Sequence, residues 1–144
     1  MPDTPEYEPS PWEPIAEHVE QYLSTGGEQG GIWEGAPCIV LSTVGARSGK
    51  LRRTPLIRVR VDDSYVVIGS MGGAPTNPNW VHNLRANPAV TVNDMAEAHE
   101  LVAREVEGDE KAALWSAATA VWPDYDTYQA STDRVIPLFV CEPA

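Results

Sequence analysis

Positive charge is scarce in this chain of 144 residues: ten Lys and Arg stand against 21 Asp and Glu, a formal net charge of -11. Such a surface repels polyanions, which excludes nucleic-acid binding, since that needs basic residues spread over many phosphates. Cysteine is nearly absent. Cys38 and Cys141 sit in separate apolar runs with no CxxC spacing, so two buried thiols are expected, with a disulfide or a reactive thiol as the alternative. The three histidines, His18, His82 and His99, lie far apart without metal-ligand spacing, so no metal is expected. No apolar run approaches the ~20 residues of a membrane span. No basic-then-apolar segment opens the chain, and a cytoplasmic protein is expected. GxSxG, HExxH, the P-loop spacing and any Cys/His nucleophile pattern are all missing, as are internal repeats.

What positive charge there is lies in one place. Arg47, Lys50, Arg52, Arg53, Arg58 and Arg60 form an island, and no Asp or Glu occurs from Ala36 through Val61. The first 35 residues hold the opposite pattern: Asp3, Glu6, Glu8, Glu13, Glu17, Glu20, Glu28 and Glu34, with no Lys or Arg. A basic island in an acidic chain points to a pocket for an anionic ligand.

The length suits one domain, divided here into an acidic leader with a short helix (1–31) and a β-rich unit (32–144). Met1–Pro11 is expected to be mobile, and Pro14–Leu23 helical, with Ile15, Val19, Tyr22 and Leu23 on one face. Strands are expected over Pro37–Thr43, Arg53–Val61, Tyr65–Ser70, Ala89–Val92, Ala98–Val106 and Val135–Cys141. In the second, Ile57, Val59 and Val61 would face one way and Leu56, Arg58 and Arg60 the other. Asn77-Pro78 should open a helix closed by Asn87-Pro88, with Asn77 as its cap. A second helix should run from Gly108 to about Val121, followed by a loop. Many short strands with two or three helices suggest an α+β, mainly β fold, a small β-barrel or curled sheet.

Four constellations could carry chemistry. The Gly45–Arg52 turn combines free backbone N–H groups, Ser48 and cationic side chains, a cradle for phosphate or carboxylate. The same pattern also fits a solvated hairpin tip, with Arg58 and Arg60 on an outer strand face. Gly69-Ser70-Met71-Gly72-Gly73 ends a strand in a loop that a ligand can approach closely. Trp80 and Asn83 lie one turn apart on the short helix; Trp80 could equally be core. Tyr125 and Tyr128 follow the long helix as hydrogen-bond or proton donors, or as packing residues over a barrel end.

The ordered set Leu41-Ser42-Thr43-Val44-Gly45-Ala46-Arg47-Ser48-Gly49-Lys50-Leu51-Arg52, Gly69–Gly73, Asn77–Pro88, Trp122-Pro123-Asp124-Tyr125 and Thr132–Pro137 resembles the deazaflavin (coenzyme F420)-dependent nitroreductase family. That resemblance implies a split β-barrel of the FMN-binding type with flanking helices, and hydride transfer from reduced F420 to a small electron-poor acceptor: a quinone, enone or nitro compound. Arg47, Ser48 and Arg52 would grip the phosphate and polyglutamate tail, with Ala46 also among the cofactor-binding residues. Arg53, Thr54, Pro55 and Ile57 would flank the ring, with Ile68, Gly69, Ser70 and Met71 closing from the next strand and Asn79, Trp80 and Asn83 from the short helix. Tyr125 and Ser70 would be catalytic, and Tyr125, Tyr128 and Trp80 would face the acceptor. Ala46 replaces a frequently basic residue, Met71 the Lys of the nitroreductase prototype, and Ser131 its Trp. An FMN-dependent reductase or a non-catalytic F420 carrier would also suit the residues. No stable membrane binding is expected from a leader without cations, and either a monomer or a homodimer is compatible.

Overall fold

The computed structural model describes residues 6–143; the first five residues of the expected mobile leader lie outside the described residues. Helix α1 (Glu13–Thr25) precedes β1 (Ile32–Trp33), β2 (Ala36–Val44), β3 (Leu51–Ile57), β4 (Arg60–Val61) and β5 (Ser64–Ile68). A single 3-10 turn over Met71–Gly73 leads to α2 (Asn79–Ala86), then β6 (Ala89–Asp94), β7 (Glu97–Val106), α3 (Gly108–Val121), α4 (Asp124–Ala130) and β8 (Leu138–Glu142). All pairings between strands are antiparallel, in the order β1-β2-β6-β7-β8-β5-β4, with β3 also paired to β2.

The segment expected as one strand from Arg53 to Val61 is two. β3 pairs with β2, and β4 pairs with β5 at the far end of the strand order. Only Arg58 and Val59 separate them, so one short stretch of chain joins both ends of the sheet and forces it to curl. At the bend the Arg58 N–H reaches back to the Pro37 carbonyl (2.8 Å), while the Val59 carbonyl accepts from Val66 (2.8 Å) on β5. The Arg58 N–H and the Val59 carbonyl are thus satisfied on opposite sides of the switch.

β2 is apolar almost throughout because it has neighbours on both edges and packed faces on both sides. Inside the curl, Ile39, Leu41, Val67, Trp80, Val81, Leu84, Val92 and Phe139 form one core. A second core lies under α3 and α4, around Val66, Ile68, Ala118, Tyr125, Ile136 and Leu138. A third joins α1 to β2 through Val19, Tyr22, Cys38 and Val40. The fully buried Tyr22 hydroxyl donates to the Cys38 carbonyl (2.9 Å) and accepts from the Met95 N–H (2.6 Å), which pins α1 to the sheet. Both cysteines are buried and free, as expected.

Three local expectations fail for physical reasons. The residues after Trp122 form helix α4, not a loop: Pro123 is accommodated at its start and two aspartates occupy the first turn. Asn77 does not cap α2; the helix starts at Asn79 after Pro78 without a side-chain cap, and Asn77 Oδ1 accepts from Arg134 instead (2.7 Å). Pro137 precedes β8, so the last strand starts at Leu138.

Candidate functional site

One cavity of about 1130 Å³ opens between α1, β3, the Gly45–Lys50 turn, the loop after β5, α2 and α4. Every residue expected at the site lines it except Gly69. A Cβ at Gly69 would stand 2.7 Å from Val81 Cγ2 and 3.0 Å from Pro137 Cγ, so this glycine permits tight packing behind the wall and is not part of the wall.

The basic end is built by the turn between β2 and β3. Its Gly45 N–H donates to the Lys50 carbonyl (2.8 Å) and its Gly49 N–H to the Gly45 carbonyl (3.0 Å). Gly49 takes φ +69, a left-handed backbone that glycine adopts without strain. Buried Asn83 braces the turn: its Oδ1 accepts from the Ala46 N–H (2.9 Å), and its Nδ2 donates to Thr43 Oγ1 (3.1 Å). Asn83 therefore shapes the cradle from within. Ser48 Oγ accepts from the Lys50 N–H (3.1 Å), and Arg47 is exposed at the rim.

The island divides. Arg47, Arg52 and Arg53 line the cavity; Lys50, Arg58 and Arg60 do not. Arg58 Nε donates to Asp94 Oδ2 (2.8 Å), which also accepts from the Tyr65 hydroxyl (2.6 Å). Arg60 bonds the Asp62 carbonyl (3.0 Å). Neither lines the cavity, as their reading as surface residues had it, but Arg58 sits in the bend between β3 and β4 and shares no strand face with Arg60.

The leader was missed as part of the site. From Glu6 it runs parallel to β3, with Glu8 N–H on the Leu51 carbonyl (2.9 Å) and Leu51 N–H on the Glu6 carbonyl (2.8 Å). Glu8 Oε2 lies 3.1 Å from Arg52 Nη1, and the Arg53 guanidinium sits over the Tyr7 ring at 4.5 Å. The acidic leader opposite an all-basic island was the available signal.

The other end is apolar with isolated polar groups. Thr54, Pro55 and Ile57 of β3 line this end together with Ile68, Ser70, Met71, Trp80 and the α4 tyrosines. Tyr125 is buried, and its hydroxyl has no partner among the described residues. Burial, reinforced by Tyr128, pushes its pKa far above the ordinary tyrosine value, so Tyr125 is a donor at any physiological pH. The Tyr128 hydroxyl accepts from Trp122 Nε1 (3.2 Å). Ser131 lies outside the cavity wall, donating to the Tyr128 carbonyl (2.9 Å).

Sequence reasoning also missed Trp12, Ile15, His18 and Trp33, which extend the apolar wall. Trp12 is 65% and Trp33 53% exposed although both face the cavity, so flat apolar surface is left open to a ligand. His18 stacks on Trp33 (centroids 6.2 Å apart), and its Nε2 donates to the Gly30 carbonyl (2.7 Å). Cys38 reaches the cavity too, but burial pushes its thiol up to about 11, which keeps it protonated and a poor nucleophile. Among the described residues no His, Cys, Asp and Glu cluster could hold a metal, and no helix is long and apolar enough to cross a membrane.

A family model described as F420H(2)-dependent quinone reductase matches residues 15–143. The chain belongs to that family. It is 35% identical over 127 residues to an F420H(2)-dependent quinone reductase of Mycobacterium tuberculosis, covering 85% of each chain. A solved structure titled as an F420-H2 dependent reductase is 42% identical, covering 74% of this chain and 94% of that one, with a TM-score of 0.70. Another, described as a domain-swapped dimer, is 38% identical over 88% of this chain and 92% of its own, with a TM-score of 0.73. The heme storage protein HutZ of Vibrio cholerae, 20% identical over 74% of this chain and 81% of its own (TM-score 0.57), shares the fold alone. This family member is an F420H2-dependent reductase with coenzyme F420 as cofactor.

The cavity fits that group. It is continuous from a guanidinium-lined mouth to a slot with apolar walls, matching an elongated molecule with an anionic tail and a planar ring. The N–H groups of Ser70, Met71 and Gly72, on residues that line the slot, find no acceptor among the described residues, and such donors suit ring oxygens.

Proposed function

We propose that this reductase passes a hydride equivalent to a quinone, and that enones and nitro compounds of similar size are further acceptors. The observation that carries the reading is the single cavity joining Arg47 and Arg52 at one end to the unpartnered Tyr125 hydroxyl at the other. The curled sheet is read as a split β-barrel of the FMN-binding type, which its antiparallel strand order supports.

When bound, reduced F420 supplies the hydride equivalent; the chain supplies position and environment. Arg47, Ser48 and Arg52 hold the phosphate and polyglutamate tail, while the Asn83 brace keeps Ala46 and the turn in place. Thr54, Pro55 and Ile57 would support the ring, with Ile68, Ser70, Met71, Asn79 and Trp80 around it. The flat acceptor lies against Tyr125, Tyr128 and Trp80, with Trp12 and Trp33 extending that wall. Ser70 and Tyr125 donate hydrogen bonds to the acceptor oxygen as negative charge grows there, in a slot where desolvation strengthens them. Proximity converts two solutes into one aligned pair. The leader carries no cation, so membrane attachment by basic charge has no basis here.

The test is a pair of fluorescence titrations, with F420 and with FMN, followed by steady-state turnover of reduced F420 with a naphthoquinone. Salt-sensitive F420 binding, negligible FMN binding and quinone-dependent oxidation are expected. FMN binding without F420 binding would overturn the cofactor assignment, and F420 binding without turnover of any acceptor would make the protein a carrier.

A further inference from the structure

Arg134 lies behind the Gly69–Asn77 loop and outside the cavity wall. Its guanidinium makes four hydrogen bonds into that loop. Nε donates to the Ala74 carbonyl (2.8 Å), and Nη1 to the Gly69 carbonyl (3.1 Å) and Asn77 Oδ1 (2.7 Å). Nη2 donates to the Ser70 carbonyl (2.8 Å). No carboxylate pairs with Arg134 among the described residues. The charge is thus compensated only by carbonyl dipoles. Gln129 secures the arginine from the other side: its Nε2 donates to the Arg134 carbonyl (2.8 Å), and its Oε1 accepts from the Ile136 N–H (2.9 Å).

Trans peptide geometry turns this into a statement about the cavity. In each peptide unit the C=O and the following N–H point in opposite directions. With the Gly69 and Ser70 carbonyls drawn to Arg134, the N–H groups of Ser70 and Met71 are turned away from it. Ser70, Met71 and Gly72 line the cavity; Arg134 does not. Neither N–H has an acceptor among the described residues. The loop also carries strain that needs a holder: Met71 has φ +47, followed by Gly72 at +65 and Gly73 at +84, and a non-glycine residue in that region persists only where its surroundings impose it.

We propose that Arg134 is a positioning residue that aims the Ser70 and Met71 N–H groups into the slot as a two-donor site for an sp2 ring oxygen carrying negative charge. The guanidinium charge and the two aligned peptide dipoles act in the same direction, so positive potential is delivered to the slot without a charged side chain lining it there. Met71 is exposed and contributes its backbone, so a side chain without charge at that position is compatible with the role. The oxygen belongs to the deazaflavin ring or to the quinone. This inference rests on the F420 reading of the cavity.

The experiment compares wild-type protein with Arg134→Gln and Arg134→Lys. Amide NMR spectra of the cofactor-free proteins should show the Ser70–Ala74 signals shifted or broadened in both variants; unchanged signals would refute the positioning claim whatever the cofactor is. With F420 and a naphthoquinone, Arg134→Gln should lose about 10- to 100-fold in kcat/KM. Arg134→Lys should lose less, because an ammonium keeps the charge but not the fork. A raised F420 Kd assigns the oxygen to the cofactor; an unchanged Kd with a raised acceptor KM or lowered kcat assigns it to the quinone. Kd, KM and kcat all within about twofold of wild type, beside a lowered melting temperature, would make Arg134 purely structural and overturn the proposal. Should Arg134→Gln fail to fold, the same readings on Arg134→Lys decide. A wild-type protein that does not bind F420 would remove the ligand assignment but leave the NMR result standing.

Discussion

If Arg52 holds the cofactor's anionic tail as proposed, Glu8 competes with that tail for the guanidinium. Its carboxylate is 3.1 Å from Arg52 Nη1, and the two side chains are 43% and 32% exposed. A phosphate or glutamate held by Arg52, as proposed, would share the guanidinium with this carboxylate or displace it. Glu8→Gln removes the charge while keeping the leader's backbone bonds to Leu51 and the Tyr7–Arg53 contact. An ion pair this exposed contributes about 0.2–1 kcal/mol. Its loss should tighten F420 binding by about 1.4- to 5-fold. Fluorescence titration at about 20 mM ionic strength measures the change, and at about 1 M, where screening acts within about 3 Å, the difference should shrink towards nothing. Glu20→Gln makes the same change in net charge at an exposed site on α1 that does not line the cavity, and it should leave affinity unchanged. Equal or weaker binding by Glu8→Gln at low salt would refute the competition, and an equal gain in both variants would reduce it to net charge.

Tyr125→Phe removes a hydroxyl with no partner among the described residues, so thermal stability should hold while kcat falls about 10- to 100-fold and F420 affinity stays within about twofold; an unchanged kcat would end its assignment as a donor. Asp94→Asn unpairs Arg58, neither of which lines the cavity, and should cost about 2 kcal/mol by urea unfolding with no change in F420 Kd; a large change in Kd would mean the two regions are coupled. Burial raises the Cys38 thiol to about 11, Cys141 to about 12 and Tyr65 to about 12. The folded state then keeps protons that the unfolded chain has lost, so stability is complete below about pH 9 and falls as pH climbs towards 12. A urea midpoint that stays flat from pH 9 to 11 would contradict those burials.

Much of the site was legible because its pieces are local. The Gly45–Lys50 turn, the glycine-bearing loop after β5 and the apolar period of α2 are set by residues adjacent in the chain, and composition alone separated the basic island from its acidic surroundings. Residue types also announced a mainly β fold, since β2 is a near-continuous apolar run and β6 places buried residues at alternate positions. The sequence could not show that Arg53–Val61 breaks at Arg58, because the break exists to satisfy Pro37 on one strand and Val66 on another. Helix α4 escaped notice because seven residues with two tyrosines have little helical preference of their own; packing of Tyr125 against the second core selects it. Which arginines face the cavity depended on where a curled sheet brings its ends together, and the partners of Arg52, Arg53 and Arg134 stand 44, 46 and up to 65 positions away. Local chemistry wrote the list of functional groups. Only the closing of the sheet, a compromise among many distant contacts at once, decided which of them meet.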